Sequence, residues 1–384
     1  MKYTVIGAGM MGSAVARDLA LTDSSAEVIL ADVNAQAAAK AAARIAGNVK
    51  PLQLDVNDSD ILLRTLEGSN AVVSAVSYSV NLQITQAAIR ARAHMCDLGG
   101  NNDVVQQQLG LDASAREAGV AIIPNCGLAP GLANILGATG ARGFDSVDSM
   151  FLRVGGLPQH PRPPLNYQLV FSAEGLINEY IEKATVIRDG NVLQVDSMSD
   201  LEDISFAEPF GDLEAFNTSG GLSTMAALYV GKVRNLDYKT IRYKGHCEKF
   251  RTLLELGFAS SEPIMVGGSV RTSREFFAEL LRRKLDYGDT DVVLARATVT
   301  GWTGDTRKTL VYEFVDYYDN ATGMTAMMRT TAIPTSVIAQ MLAHGTINVR
   351  GVVPPEVCVP GDEMIRELAK RNITITKRVT EHRS

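Results

Sequence analysis

The sequence predicts an α/β protein in which a doubly wound parallel sheet is joined to an α+β domain with a mostly antiparallel sheet. Three observations carry this. A glycine-rich turn, Gly7-Ala-Gly9-Met10-Met11-Gly12, lies between a short apolar run and a helical pattern. Apolar runs and helical patterns then alternate one for one to about residue 125. Beyond that point strands follow strands through tight turns, without crossover helices between them.

The elements follow in order. Tyr3-Thr-Val-Ile6 is a strand, and Ala14, Val15, Leu19 and Ala20 give one apolar helical face after the glycines. Gly7 permits the tight turn, Gly9 lets backbone approach a pyrophosphate, and Gly12 lets helix and strand pack closely. Met10 and Met11 open the helix, whose free N–H groups favour phosphate. A second strand, Glu27-Val-Ile-Leu-Ala31, ends at Asp32. That is about 20 residues past the last glycine, where an acid takes the ribose hydroxyls. A carboxylate there repels the 2′-phosphate of NADP, and no arginine follows in Val33-Asn34-Ala35-Gln36 to receive one. The pattern is therefore of Rossmann type, with NAD as the expected cofactor.

An Ala-rich helix at 35–46 and the strand 49–54 lead to Asp55-Val56. A helix bearing Ile61, Leu62 and Leu66, the strand 71–76, a helix at 81–92, the segment 94–100, a helix at 103–118 and the strand 120–124 complete the series. Ligands in such sheets sit beyond the carboxyl ends of the strands. Asp32, Val33, Asp55, Val56, Ala75, Val76 and Ser77 are accordingly expected along one cofactor groove. Gly127-Leu-Ala-Pro-Gly131 then opens a helix at 132–141, and 185–195 reads as a hairpin around Asp189-Gly190. Val292 to Trp302, Thr309 to Tyr318 and Met324 to Thr331 read as a three-strand meander. The expected domains are 1–125 with 332–384, and 126–331.

Composition excludes other classes. The chain has 384 residues, a net charge of −6 and no basic block, which argues against nucleic-acid binding. No run approaches the ~18 apolar residues of a membrane helix. Met1-Lys2 runs directly into a strand, so no signal peptide is expected. The four cysteines, Cys96, Cys126, Cys247 and Cys358, make no C-x-x-C pair, as in a reduced cytoplasmic protein.

The densest chemistry lies in Ile241-Arg242-Tyr243-Lys244-Gly245-His246-Cys247-Glu248-Lys249-Phe250. Side chains on one face of a strand recur every second residue. Arg242, Lys244 and, if the chain stays extended through Gly245, His246 would share a face as a pocket wall. Phe250, Leu253 and Leu254 then show helical spacing, which Gly257 stops. A metal site is not expected, because neighbours such as His246 and Cys247 diverge and no second ligand lies at a usual zinc spacing. His246 is either a hydrogen-bonded structural histidine or a proton-handling one. Arg242 is either a carboxylate fork or half of an ion pair. Ser172 reads as the N-cap of a helix at 173–182, and Asp97 follows a buried strand near the nicotinamide end.

Taken in order, the motifs resemble the saccharopine dehydrogenase-like family and, within it, the lysine 6-dehydrogenase branch. They are Gly7-x-Gly9-x-x-Gly12, Leu54-Asp-Val56, Gly127-Leu-Ala-Pro-Gly131, Gly155-Gly-Leu-Pro158, Pro164 to Ser172 with Gly175, Arg242 to Lys249, and Val353-Pro-Pro-Glu356. The saccharopine-forming members carry an acid where this chain has Ala129 and a cysteine where it has Val154. They also carry Trp-Ser-Pro in place of Phe171-Ser172-Ala173. Losing those polar groups fits a smaller substrate.

The resemblance implies NAD-dependent oxidative deamination of the terminal amine of L-lysine, giving the 6-semialdehyde and ammonia. It places Arg242 on a carboxylate, His246 on a proton, and Tyr167 with Asn166 in the pocket. Two alternatives stand beside it: reductive condensation of an amine with a carbonyl compound, and a non-catalytic NAD(H) sensor. A homodimer or higher homo-oligomer is expected, through the second-domain meander.

Overall fold

In the computed structural model, which describes residues 1–382, the first apolar run becomes Lys2–Ile6, the central strand of a seven-stranded parallel sheet. Tyr3 and Val5 are wholly buried, as expected of a strand covered on both faces. The spatial order is Gly351–Val352, Ala121–Ile123, His94–Asp97, Ala71–Ser74, Lys2–Ile6, Glu27–Asp32, Val49–Gln53. The order reverses between Lys2–Ile6 and Ala71–Ser74. In sheets of this kind the helices before and after that point lie on opposite faces, and ligands bind in the crevice this leaves at the strand ends.

Two compact units divide the chain. One comprises Met1–Thr139 and Met328–Ile375; the other comprises Gly140–Met327 and the chain from Thr376 on. In the first unit the returning segment is fastened by Asp18, which accepts from Arg371 Nε at 2.8 and 3.0 Å and from Ser336 Oγ at 2.7 Å. Both partners of this ion pair are buried, so removing either would strand the other charge.

The second unit is built on a nine-stranded mixed sheet. Its main path runs Glu202–Ile204, Leu213–Asn217, Asn235–Tyr243, Ser146–Pro158, Asp291–Thr303, Thr306–Tyr317, Thr376–His382, with Ala184–Arg188 and Asn191–Val195 branching from it. Only Asn235–Tyr243 and Ser146–Pro158 run parallel; every other pairing is antiparallel. The 184–195 hairpin turns at Asp189 and Gly190, both at positive φ, as its tight turn requires. Helices Ala173–Ile181, His246–Glu255 and Ser273–Leu285 share an apolar core with Phe216 and Tyr167.

The structure corrects four expectations. Residues 126–139 belong to the first unit: Cys126 N–H bonds to Asp97 O at 2.7 Å, and Thr335 Oγ1 to Cys126 O at 2.7 Å. The final segment does not return to that unit, because Thr376–His382 pairs as an edge strand with Thr306–Tyr317. Its Lys377, Arg378 and Glu381 hide it from a search for apolar alternation, and charge is how edge strands are kept from aggregating. The expected strand at 324–331 is instead the start of the helix Ala326–Ala343. The Asp291 carboxylate, 35 residues earlier, accepts the Ala326 and Met327 N–H groups at 2.7 and 2.9 Å and starts that helix. The expected helix at 103–118 is two, Asn102–Leu109 and Asp112–Ala118, parted at Gly110 and Leu111.

Candidate cofactor turn and active site

At the switch point the glycines make the tight turn and the close packing their spacing implied. Gly7 has φ +102°, and a Cβ on it would stand 2.6 Å from Ala75 O. A Cβ on Gly12 would stand 1.8 Å from Gly7 O, so helix and turn are pressed together. Around Gly9, by contrast, an added Cβ meets nothing within 4 Å, which leaves the open approach a pyrophosphate needs. Gly9 is also the N-cap of Met10–Thr22 and supplies no side-chain cap, so the first-turn N–H groups remain available.

Asp32 is held at the edge of this turn. Its Oδ2 accepts from Ala8 N–H at 2.7 Å and its Oδ1 from Asn34 N–H at 2.9 Å. Leu54 N–H bonds to Asp32 O at 2.9 Å, which brings Asp55 and Val56 alongside. Ala75 N–H bonds to Ile6 O at 2.8 Å, which brings Ala75, Val76 and Ser77 to the other side. Val33 is exposed beyond Asp32. The residues present fit a nicotinamide dinucleotide: an open glycine turn, a helix N-terminus and a fixed ribose-side acid. Asp97, wholly buried, accepts from Gly99 N–H, Asn125 N–H and Gln108 Nε2, and burial raises its pKa. It organises the backbone between the 94–97 strand and residue 125.

In the second unit, Arg242, His246 and Tyr167 come together although one lies on a strand, one on a helix and one in the irregular segment before Ala173–Ile181. Gly245 takes φ +86°, so the chain turns instead of staying extended, and His246 becomes the first residue of His246–Glu255. Lys244 therefore does not share the face expected of it; it points outward to Asp203 at 2.8 Å. The turn swings His246 back toward Arg242, and Tyr180 of Ala173–Ile181 joins them. Arg242 Nε–H donates to Tyr180 Oη at 2.8 Å, and Tyr180 Oη lies 3.1 Å from His246 Nε2. His246 Nδ1 lies 2.9 Å from Leu165 O, which can only accept. The proton is thereby assigned to Nδ1, which leaves Nε2 to accept from the Tyr180 hydroxyl.

Burial, with the Arg242 charge second, pushes the His246 pKa down to about 3. It is a neutral imidazole with both nitrogens occupied. Burial opposes the Arg242 charge too, but the two phenols and the Glu179 carboxylate keep its pKa above the ordinary arginine value. The guanidinium carbon stands 4.6 Å above the Tyr167 ring, a cation–π contact. Tyr167 is wholly buried with its pKa raised by burial to about 12. Its hydroxyl has no hydrogen-bond partner among the described residues, although the Val170 N–H lies close enough to perturb it.

Asn166 is placed differently. It is half-buried at φ +49°, its N–H bonds to Arg162 O at 2.9 Å, and it serves the bend leading to Tyr167. Ser172 caps its helix, accepting from Gly175 N–H at 3.0 Å. Among the described residues no group of three or more His, Cys, Asp or Glu side chains is placed to hold a metal ion, and no helix is long and apolar enough to cross a membrane.

Sequence reasoning missed Tyr180 and Glu179. Glu179 Oε2 lies 4.0 Å from Arg242 Nη2, and its Oε1 accepts from Thr240 Oγ1 at 2.7 Å. Both residues sit some 60 positions from Arg242, on a helix read only for its cap. One signal was available. Tyr238, Thr240 and Arg242 alternate on one face of a strand whose every residue from Leu236 on is buried, and so many buried polar groups need partners.

Comparison with known proteins agrees with this architecture. Residues 3–123 match the family model described as the saccharopine dehydrogenase NADP binding domain, and residues 127–373 that of the saccharopine dehydrogenase C-terminal domain. The chain is 21% identical over 442 residues to saccharopine dehydrogenase (NADP(+), L-glutamate-forming) of Saccharomyces cerevisiae, covering 95% of this chain and 96% of that protein. It is 23% identical over 379 residues to the mitochondrial alpha-aminoadipic semialdehyde synthase of Mus musculus, and 25% identical over 257 residues to the Pyricularia oryzae saccharopine dehydrogenase (NADP(+), L-glutamate-forming). It spans only 40% and 55% of those two proteins. Among solved structures, apo saccharopine dehydrogenase (L-Glu forming) from Saccharomyces cerevisiae superposes with TM-score 0.82 at 19% identity, over 99% of both chains. Homospermidine synthase from Legionella pneumophila in complex with NAD superposes with TM-score 0.68 at 11% identity, over 99% of this chain and 91% of that one. With a parallel dinucleotide sheet, a mixed-sheet unit around Arg242, and family models matched along most of its length, the chain belongs to the saccharopine dehydrogenase family.

Proposed function

We propose that the protein is an NAD-dependent oxidoreductase acting on the CH–NH2 group of an amino acid, with the terminal amine of L-lysine as substrate. The observation that carries the cofactor choice is Asp32. Two backbone N–H groups hold its carboxylate fixed, and at the position the dinucleotide fingerprint assigns to the ribose a 2′-phosphate would meet negative charge. Two relatives named above carry NADP(+) in their names, so the choice of NAD rests on Asp32. For the substrate, the apolar Val154 lies opposite Thr240 in the sheet ladder and adds no polar group there, which supports a smaller substrate than saccharopine.

The chemistry balances simply. An alkylammonium loses a proton, a hydride leaves the adjacent carbon, and water hydrolyses the resulting imine to an aldehyde and ammonium. The bound nicotinamide ring supplies the hydride acceptor. The protein's own residues do the remainder: Arg242 holds a carboxylate, and Tyr180 and His246 hold Arg242 in one orientation. Neutral, and occupied at both nitrogens, His246 serves as a positioning residue in this reading. The free alkylammonium has a pKa near ~10.4, so turnover rises with alkaline pH.

The test measures NADH formed at alkaline pH from NAD and single amino acids, with ammonia assayed in parallel and NADP as the comparison cofactor. NADH and ammonia in equal amounts with L-lysine support the reading. Turnover confined to saccharopine, or to a paired amine and carbonyl compound, moves the assignment to the condensing type that the relatives' names support. Faster turnover with NADP removes the role given to Asp32.

A further inference from the structure

We propose that Glu179 and Arg242 together clamp the head group of an α-amino acid, Glu179 taking its ammonium and Arg242 its carboxylate. The inference rests on the reading that the second unit binds an amino acid.

Each charged group keeps one free position, and the two positions face each other. Arg242 spends Nε–H on Tyr180 and an Nη1 hydrogen on Ile241 O at 2.9 Å, which fixes the guanidinium plane and leaves Nη2 with no hydrogen-bond partner among the described residues. Glu179 Oε1 is fixed by Thr240 Oγ1, itself 2.7 Å from Thr218 Oγ1, which leaves Oε2 with no hydrogen-bond partner among the described residues. Nη2 and Oε2 stand 4.0 Å apart. A direct charge-assisted hydrogen bond would close to about 2.7–2.9 Å. The threonine pair and Tyr180 hold acid and base apart, short of a closed ion pair.

An α-amino acid presents its ammonium and carboxylate on neighbouring atoms, so it can satisfy both free positions at once. Accessibility agrees. The Glu179 side chain keeps 18% of its surface while that of Arg242 keeps 3%. Glu179 is thus the rim that an incoming ammonium meets first, and Arg242 is the buried floor. A substrate bound this way has its α-carbon fixed, and its side-chain amine is the end left free for chemistry.

The test compares L-lysine with 6-aminohexanoate, which keeps the amine and the carboxylate but lacks the α-ammonium. Loss of one charge-assisted hydrogen bond corresponds to about 10- to 100-fold in kcat/KM, and wild-type enzyme should favour lysine by that factor. Glu179→Gln keeps the Thr240 contact and removes the charge. It should raise the KM for lysine by the same factor at nearly constant kcat, and change the KM for 6-aminohexanoate far less. Glu179→Asp should restore part of the preference, which guards against a glutamine variant that merely folds poorly. Equal losses with both compounds, or an undiminished preference for lysine in Glu179→Gln, would show Glu179 to be only a counter-ion for Arg242 and overturn the clamp. If wild-type enzyme turns over saccharopine and not lysine, the substrate reading fails separately. The clamp is then read on saccharopine, whose KM must rise in Glu179→Gln; an unchanged KM overturns it. If neither is turned over, failure of L-lysine to bind the NADH-loaded enzyme by calorimetry overturns it as well.

Discussion

Lowering the pH from 7 to 5 is expected to destabilise the protein through His246. Burial and the Arg242 charge hold the folded-state pKa at about 3, against 6.5 for a free imidazole. The folded pKa lies below the unfolded one, so between these values the unfolded chain binds the proton and the folded chain does not. The contribution is complete above pH 6.5 and is lost as the pH falls through 6.5 toward 3. At ~1.4 kcal/mol per pKa unit, the step to pH 5 costs about 2 kcal/mol, and the whole window about 5 kcal/mol at most. Protonation would also place a cation beside Arg242 and break the Tyr180 bond, since His⁺ has no acceptor nitrogen. The assay is urea unfolding at pH 7 and pH 5, in wild type and in His246→Gln. Glutamine offers one donor group for Leu165 O and one acceptor for Tyr180, and does not titrate. Wild type should lose about 2 kcal/mol more than the variant between the two pH values. Equal losses would refute the reasoning and show that water or rearrangement solvates the imidazole.

Three further outcomes are expected. Tyr180→Phe leaves the Arg242 Nε–H and His246 Nε2 unpaired in the core, and should lower unfolding free energy by about 2–4 kcal/mol in urea; a change below about 0.5 kcal/mol would mean the chain of hydrogen bonds is not formed. Gly12→Ala drives a Cβ to 1.8 Å from Gly7 O; NADH binding followed by fluorescence should weaken by about 10-fold or more, and unchanged binding would show that the turn yields. Asp32→Ser removes the acid proposed to face the ribose, and the ratio of kcat/KM for NAD over NADP should fall by about 10- to 100-fold; a constant ratio would place cofactor choice elsewhere.

Much of the first unit was legible because its determinants are local. Gly7, Gly9, Gly12 and Asp32 act through backbone conformation, close approach and charge, each set by a residue and its immediate neighbours. Strand and helix periods along 1–125 are local too, and they impose the parallel sheet. The 324–331 segment was misread because the group that starts its helix, Asp291, lies on a distant strand. The edge strand Thr376–His382 was missed because it is exposed and charged, so it carries no apolar alternation.

The second site divides the same way. The sequence alone singled out Arg242 and His246, because an arginine, a histidine and a thiol within ten residues are chemically conspicuous, and the resemblance added Tyr167. Only tertiary structure decided what they do. The left-handed turn at Gly245 sends Lys244 outward and His246 inward. Packing of Ala173–Ile181 against Asn235–Tyr243 sets Tyr180 between arginine and histidine, and Glu179 beside the free Nη2. Burial and hydrogen bonding depend on atoms brought together from far along the chain. They made His246 neutral and Arg242 oriented, and no local pattern encodes them.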